Sequence, residues 1–405
     1  MMLLVRNAET FAPEPLGRRD ILCAGGTIVA LEPRIDSSGL PGDPEIIDAA
    51  GAVVVPGLVD GHVHVSGGGG EAGFGSRTPP LDPADAFRAG VTTVIGTLGT
   101  DGITRSMEDL VARTFALRES GLSAWCLTGS YRVPPRTLTG DVMKDIMFIE
   151  PILGLGEIAL SDHRSSRPTD AEVARLFSEA RIGGMLSGKT GIVCVHLGDA
   201  PDGFGSLERA IASGELPRSQ IWPTHCGRNP GLLEAAFSWI GSGGYADFTA
   251  SPPDLSGLER PDPETSGLPN NPSALTSIDS DRGQTSASAS FAKGLSKGLS
   301  PESFTWTSDG QGSLPRFDAN GRISGYEVGT CSSLLAALRS AVLRLGIPLK
   351  TALLPVTMNP AKILGLDRKG RIAAGADADL VVMGTDLVPR LVIAKGRLVM
   401  SVPRD

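Results

Sequence analysis

After Pro56 the chain repeats one texture: a short apolar run that ends in glycine or a polar residue, then a longer stretch of helical period. The runs lie at 54–64, 92–99, 124–131, 154–160, 192–198, 221–225, 244–251 and 304–310. Helices are expected between them at 106–120, 169–183, 206–213 and 230–240, with Ser106 and Thr169 as N-caps. Eight strands alternating with helices predict an α/β fold, the (β/α)8 TIM barrel, whose functional groups gather at the C-terminal strand ends. The chain has 405 residues, more than the roughly 250 of a plain barrel. Part of the excess sits at the termini. Residues 1–55 are short β-type runs between Gly and Pro turns, and β texture returns at 370–405, so the two ends are expected to join in one small split domain beside a barrel of 56–369.

Three further segments have their own signatures. VGTCSSLLAALRSAVLRLG, 328–346, is expected to be an amphipathic helix, and TMNPAKILGL another with Asn359 and Pro360 at its start. Residues 251–299 are rich in Ser, Pro, Gly and Asp and offer little to bury. They are expected to be a lid or a mobile insertion, with a short helix at 287–299.

A net charge of -8 without a basic cluster argues against a nucleic-acid footprint and leaves a small polar substrate open. The five cysteines are scattered and odd in number, which implies buried thiols in a reducing compartment rather than a disulfide framework. No stretch approaches 18 uninterrupted apolar residues and the N-terminus lacks a cleavable leader pattern, so a cytoplasmic location is expected. Glycine accounts for 52 residues, nearly twice the usual share of about 7%, as suits many tight strand exits.

The polar residues that fall at the expected strand ends are His62, His64, Thr100, Tyr131, Glu157, His196, His225 and Asp309. Four of the five histidines are among them; the fifth, His163, follows the fourth strand. His62 and His64 stand one residue apart on a strand, so their rings share a side and can meet one cation. Alone, that pair could equally be two surface histidines, and Asp309 in TSDGQGS could be a turn residue. Together the set suits divalent metals, which prefer imidazole with some carboxylate, and two close cations sharing an oxygen would acidify a water between them. Asp309 could then move a proton from that water to a leaving amine.

These residues resemble the amidohydrolase superfamily, through PGLVDGHVH, THCGR, SDG and the tail GRIAAGADADLVV, and within it the isoaspartyl (β-aspartyl) dipeptidases. The narrower resemblance rests on HVHVSGGGGEAGFGSRTP, LGTDGITR, LTGSYRVPPRTLTG, SDHRSS, HLGDA, PTHCGRN and TSDGQGS. It implies a small β-sandwich built from both termini, a homo-oligomer, and hydrolysis of dipeptides joined through the aspartate side chain. It also implies two divalent metal ions, with Zn2+ expected, held by His62, His64, His196, His225 and Asp309. Tyr131 would polarise the scissile carbonyl, Glu71 would bind the substrate ammonium, and Arg164 and Arg228 would grip carboxylate. Gly69, Thr100 and Ser313 would add polar contacts.

The chain departs from this pattern at Glu157, where the family pattern places a carbamylated lysine that bridges the metals. A glutamate supplies a bidentate anion without carbon dioxide but on a shorter side chain. The 251–299 insertion is also longer than the pattern needs. The alternatives are another amidohydrolase, acting on N-acyl amino acids or cyclic amides, and a non-catalytic scaffold that kept only the barrel.

Overall fold

The N-terminal runs form β1 (Met2–Phe11), β2 (Pro15–Ala24), β3 (Thr27–Glu32), β4 (Glu45–Asp48) and β5 (Val53–Pro56). The computed structural model describes residues 2–214, 216–250, 284–317 and 323–402. The single strand expected at 54–64 is two strands. Val53–Pro56 belongs to the N-terminal sheet, and after Gly57 the chain enters the barrel as β6 (Leu58–Val63). Gly57 N makes the last bond to the N-terminal sheet, to Asp379 O (2.9 Å), and Leu58 N the first to the barrel, to Gly90 O (2.9 Å).

The other barrel strands are β7 (Val91–Gly96), β8 (Ser123–Thr128), β9 (Ile152–Leu160), β10 (Ile192–Leu197), β11 (Ile221–Thr224), β12 (Ala246–Thr249) and β13 (Phe304–Thr307). β6 to β11 pair in sequence order as a parallel sheet, and β12 pairs with β13, also parallel. Main-chain bonds from His64 N to Gly310 O (2.8 Å) and from Cys226 N to Asp247 O (3.0 Å) link the two sheets. The result is a TIM barrel. Its strands are covered on both faces, which is why they read as apolar runs rather than alternating ones. Trp222 fills the interior against Gly61, where a Cβ would lie 2.2 Å from the indole. Ala361, Ile363, Leu364 and Leu366 close the floor against Val59, Ile95, Leu127 and Leu153.

The expected helices are present as Met107–Glu119, Asp170–Ser187, Gly205–Gly214 and Pro230–Gly241. Ser106 accepts from Asp109 N, and Thr169 with Glu172 makes a capping box. The helix expected over 328–346 starts only at Ser332 and turns π-helical at Ser340–Arg344. Residues before it form β15 (Ile323–Val328), which pairs antiparallel with β14 (Ser313–Phe317). Bonds from Gln311 N to Gly329 O (2.7 Å) and from Gly329 N to Gly312 O (2.9 Å) draw this segment into a hairpin beside the Asp309 loop. The short helix expected after residue 286 is Ala287–Ser296; the rest of the expected lid, 251–283, lies outside the described residues.

β16 (Leu380–Met383), β17 (Pro389–Ala394) and β18 (Arg397–Ser401) return to the N-terminal strands. The order is β18-β17-β16-β5-β1-β2-β3, with β4 parallel to β1, so the two termini build one mixed sheet. Its core of Leu3, Val5, Ile21, Ile28, Val54, Leu380 and Ile393 is separate from that of the barrel. All five cysteines are buried and free.

Candidate metal centre and active site

β6 delivers His62 from its last turn of pleat, and His64 follows just past its end, both rings buried. Glu157 meets them from β9. It is an interior residue of that strand rather than an end residue, and it is fully buried. His62 Nε2 lies 3.2 Å from Glu157 Oε2, while Glu157 Oε1 faces His196 Nδ1 at 2.8 Å and His225 Nε2 at 3.1 Å. His64 Nε2 lies 3.1 Å from Asp309 Oδ1 and His62 Nε2 lies 3.7 Å from it. His225 and Asp309 both leave their strands with left-handed backbone (φ 64 and 50), conformations that non-glycine residues adopt mainly where surroundings enforce them.

Among the described residues, two groups of donors converge closely enough to hold a metal ion: His62, His64 and Glu157, and Glu157, His196 and His225, with Glu157 shared. His62 Nε2, Glu157 Oε2 and Asp309 Oδ1 are buried without a hydrogen-bond partner, as expected of lone pairs aimed at a cation. The residues therefore fit the divalent metals typical of such a donor set. Burial opposes the charged form of Glu157, yet His62 and His196 hold its carboxyl well below the usual range. Burial likewise opposes the charged form of Asp309, but the His64 ring 3.1 Å away brings it down to about 2. Burial pushes His225 down to about 4, keeping its imidazole neutral and able to ligate.

Lysine is absent from this centre among the described residues lining the cavity. The nearby Lys189 points to the other end of β9, where its Nζ donates to the carbonyls of Ile146, Ile149 and Ile152 (2.7, 2.7 and 2.8 Å).

Around His196 the structure adds a residue that sequence reasoning passed over. Asp162, buried just after β9, faces His196 Nε2 at 2.8 Å, takes Arg164 Nε and Nη2 at 3.0 Å each, and lies 3.6 Å from Arg228. A carboxylate there places the ring proton on Nε2 and leaves the Nδ1 lone pair toward Glu157. Its signal was the SDHRS segment, in which His163 drew notice; that side chain is 87% exposed, and Asp162 is the inward residue. Tyr131 OH lies 2.8 Å from His196 Nδ1, and Arg164 stacks 5.1 Å from the Tyr131 ring centre. Burial and the nearby Glu157 raise the phenol well above its ordinary pKa, so it stays a donor.

Above the cluster opens a cavity of about 700 Å³ lined by His64, Gly69, Glu71, Thr100, Tyr131, Arg164, His196, His225, Arg228, Asp309 and Ser313. His62 and Glu157 lie beneath it. Glu71 accepts from Thr100 Oγ1 (3.1 Å) and Ser313 Oγ (2.9 Å) and faces Arg164 Nη1 at 3.5 Å. Ser313 reaches this place because the hairpin of β14 and β15 carries it.

With this geometry in hand, the comparisons with known proteins are specific. Residues 278–399 match the amidohydrolase family model. A crystal structure of a β-aspartyl dipeptidase from Fervidobacterium islandicum, in complex with β-Asp-Leu, superposes with a TM-score of 0.87 at 39% identity, covering 100% of this chain and 98% of that one. The chain belongs to the β-aspartyl dipeptidase family of the amidohydrolase superfamily. It is thus an amidohydrolase superfamily hydrolase. A dihydroorotase from Halobacterium salinarum is 26% identical over 400 residues, 91% of this chain and 86% of that protein. A dihydropyrimidinase from Brevibacillus agri shares the fold at a TM-score of 0.64 and 18% identity, over 99% of this chain and 95% of that one. No helix among the described residues is long and apolar enough to cross a membrane.

Proposed function

We propose that this protein hydrolyses β-aspartyl dipeptides in a metal-dependent reaction. The observation that carries the proposal is the opposition of Glu71 and Arg164, 3.5 Å apart, at the mouth above the His and Glu cluster. A β-aspartyl dipeptide carries an ammonium and a carboxylate on one carbon, with the scissile carbonyl one methylene away. Glu71, steadied by Thr100 and Ser313, is placed to read the ammonium, and Arg164 with Arg228 to read the carboxylate. Gly69 lines the same wall. Full-length identity of 39% to a dipeptidase described with β-Asp-Leu supports this substrate class.

In this reading His62, His64, Glu157, His196, His225 and Asp309 hold two divalent cations, and zinc is the metal that an imidazole-rich set suits. Bound there, the cations would acidify water and polarise the scissile carbonyl. The side chains supply the remaining steps. Asp309, ionised at neutral pH, accepts a proton from the attacking water at its carboxylate and returns it to the departing amine nitrogen. Tyr131, kept protonated, donates to the carbonyl oxygen as negative charge develops there. Asp162 keeps the ring of His196 fixed while this happens. The barrel of 56–369, the small domain of 1–55 with 370–405, and a homo-oligomer in the cytoplasm complete the proposal.

The competing substrates are cyclic or N-acylated amides, in view of the 26% identity to a dihydroorotase. These lack the ammonium and would leave Glu71 without a cation. The deciding experiment measures metal per chain and the hydrolysis of β-Asp-Leu, N-acetyl-leucine and dihydroorotate side by side. The expected result is about two metals with cleavage of the dipeptide alone. Cleavage of either other compound with the dipeptide untouched would sink the assignment. Glu71→Gln should raise KM for β-Asp-Leu about tenfold or more at unchanged metal content; an equal loss of metal would make Glu71 structural.

A further inference from the structure

Arg105 ends the LGTDGITR segment, and nothing in the reaction as described uses it. Its side chain is buried, and its guanidinium ends on main chain: Nη1 donates to the Ser66 carbonyl, and Nη2 to the carbonyls of Gly68 (3.1 Å) and Thr78 (2.8 Å). Those carbonyls form the neck of the loop that carries Glu71 at its tip. The neck is closed further by Thr78 N to Gly68 O (2.9 Å), by Gly68 N to Thr78 Oγ1 (2.6 Å) and by the Thr78 hydroxyl to the Gln311 carbonyl. Gly67 admits no side chain at this point, because its φ is 86° and a Cβ would lie 2.6 Å from Arg105 Nη1.

The stretch that holds Arg105 grips the same loop a second time, at the tip, through Thr100 Oγ1 on Glu71 (3.1 Å). That stretch is itself stiffened by Asp101, which accepts from the amides of Ile103 (3.0 Å) and Thr104 (2.8 Å). A guanidinium is expensive to bury, and its presence here is explained by what it ties together. Three carbonyls around one planar fork are a pattern that arginine satisfies and the point charge of lysine does not.

We propose that Arg105 is a positioning residue for substrate recognition. By clamping the neck of the 66–78 loop it holds Glu71 where the substrate ammonium is read, and so sets KM for dipeptides with a free amino group rather than the rate of bond cleavage. The inference rests on the reading of Glu71 given above.

The test compares the metal-loaded wild type with R105Q, R105K, E71Q and the R105Q/E71Q double variant. The measurements are kcat and KM for β-Asp-Leu, metal per chain, and amide hydrogen exchange of the 66–80 segment. R105Q is expected to raise KM about tenfold with kcat within about threefold and metal unchanged. R105K should fall between R105Q and wild type. On the E71Q background R105Q should add less than about twofold, since both act through one carboxylate. Exchange of the Gly68 and Thr78 amides should quicken in R105Q and not in E71Q. A fall in kcat at unchanged KM, loss of metal, a full additional effect on E71Q, or unchanged exchange would each overturn the proposal. If E71Q leaves KM unaltered, the ammonium reading fails by itself. The clamp is then supported only by a raised KM together with faster exchange in R105Q, and is overturned if either is missing. Should R105Q fail to fold, R105K, which keeps the charge and loses the fork, carries the same comparison.

Discussion

Among the carboxylates fully buried inside the barrel, Glu157 on β9 and Asp247 on β12 have opposite fates. Glu157 faces three imidazoles, and they hold it ionised against the cost of burial. Asp247 accepts the hydroxyls of Thr224 (2.7 Å), Thr305 (2.8 Å) and Thr307 (2.7 Å), and burial pushes it up to about 6 despite them. Burial is the same; the partners differ. Neutral hydroxyls satisfy an acid's lone pairs, so Asp247 ties three strands together and needs nothing else. Imidazoles leave a carboxylate able to share a cation with them, the role proposed for Glu157.

The largest effect is expected at the histidine cluster, where D309N should lower turnover by about 10³-fold with the fold and the circular dichroism spectrum intact; unchanged activity would remove Asp309 from proton transfer. Next, E157Q should lose bound metal, read by elemental analysis, with activity falling alongside, whereas D247N should retain both. Equal metal loss in the two variants would mean that Glu157 holds metal no more directly than Asp247.

Between these lies D162N, which leaves every proposed ligand in place but loosens His196. A loss of about 10- to 100-fold in metal affinity or activity is expected, as for other carboxylates behind a ligating imidazole, and competition with a chelator would measure it. D247N should act instead on the pH dependence of stability. The folded pKa of about 6 lies above the ordinary value of 3.8, so the folded state binds the proton more tightly. The resulting destabilisation is absent below the unfolded pKa, grows as pH rises and is complete above about 6. Denaturant melts from pH 4 to 7 should therefore show a shallower decline in D247N, although Asp60, also raised to about 6, keeps its own share. An undiminished slope would mean that Asp247 is not the acid responsible. The smallest effect is none at all: bicarbonate should leave activity unchanged, because Glu157 cannot be carbamylated. A bicarbonate requirement would place a modified lysine at the centre.

Much of this was legible because local chemistry and fold agree. Apolar runs covered on both faces announce barrel strands; Ser106 and Thr169 announce helix starts by supplying acceptors to free amides. What escaped notice depends on partners far apart in sequence. The hairpin of β14 and β15 took residues from an expected helix because Gly329 bonds to the Asp309 loop, not because of its own composition. In sequence Asp162 is one acid in a polar segment, and only its contact with His196, from another strand, gives it a role. Nothing in the LGTDGITR segment distinguishes Arg105; its three carbonyl partners come together around it only in the fold.

Periodicity, caps and residue type act over a few positions, and they suffice for the alternation of strands and helices, the return of the tail to the N-terminal sheet, and the placing of imidazoles at strand ends. The tertiary structure alone decided that Glu157 points inward among three of them, that Asp162 rather than His163 turns toward the centre, and that two loops lock Glu71 above it. Those outcomes turn on side-chain direction and on contacts across tens to hundreds of residues, which no local pattern encodes.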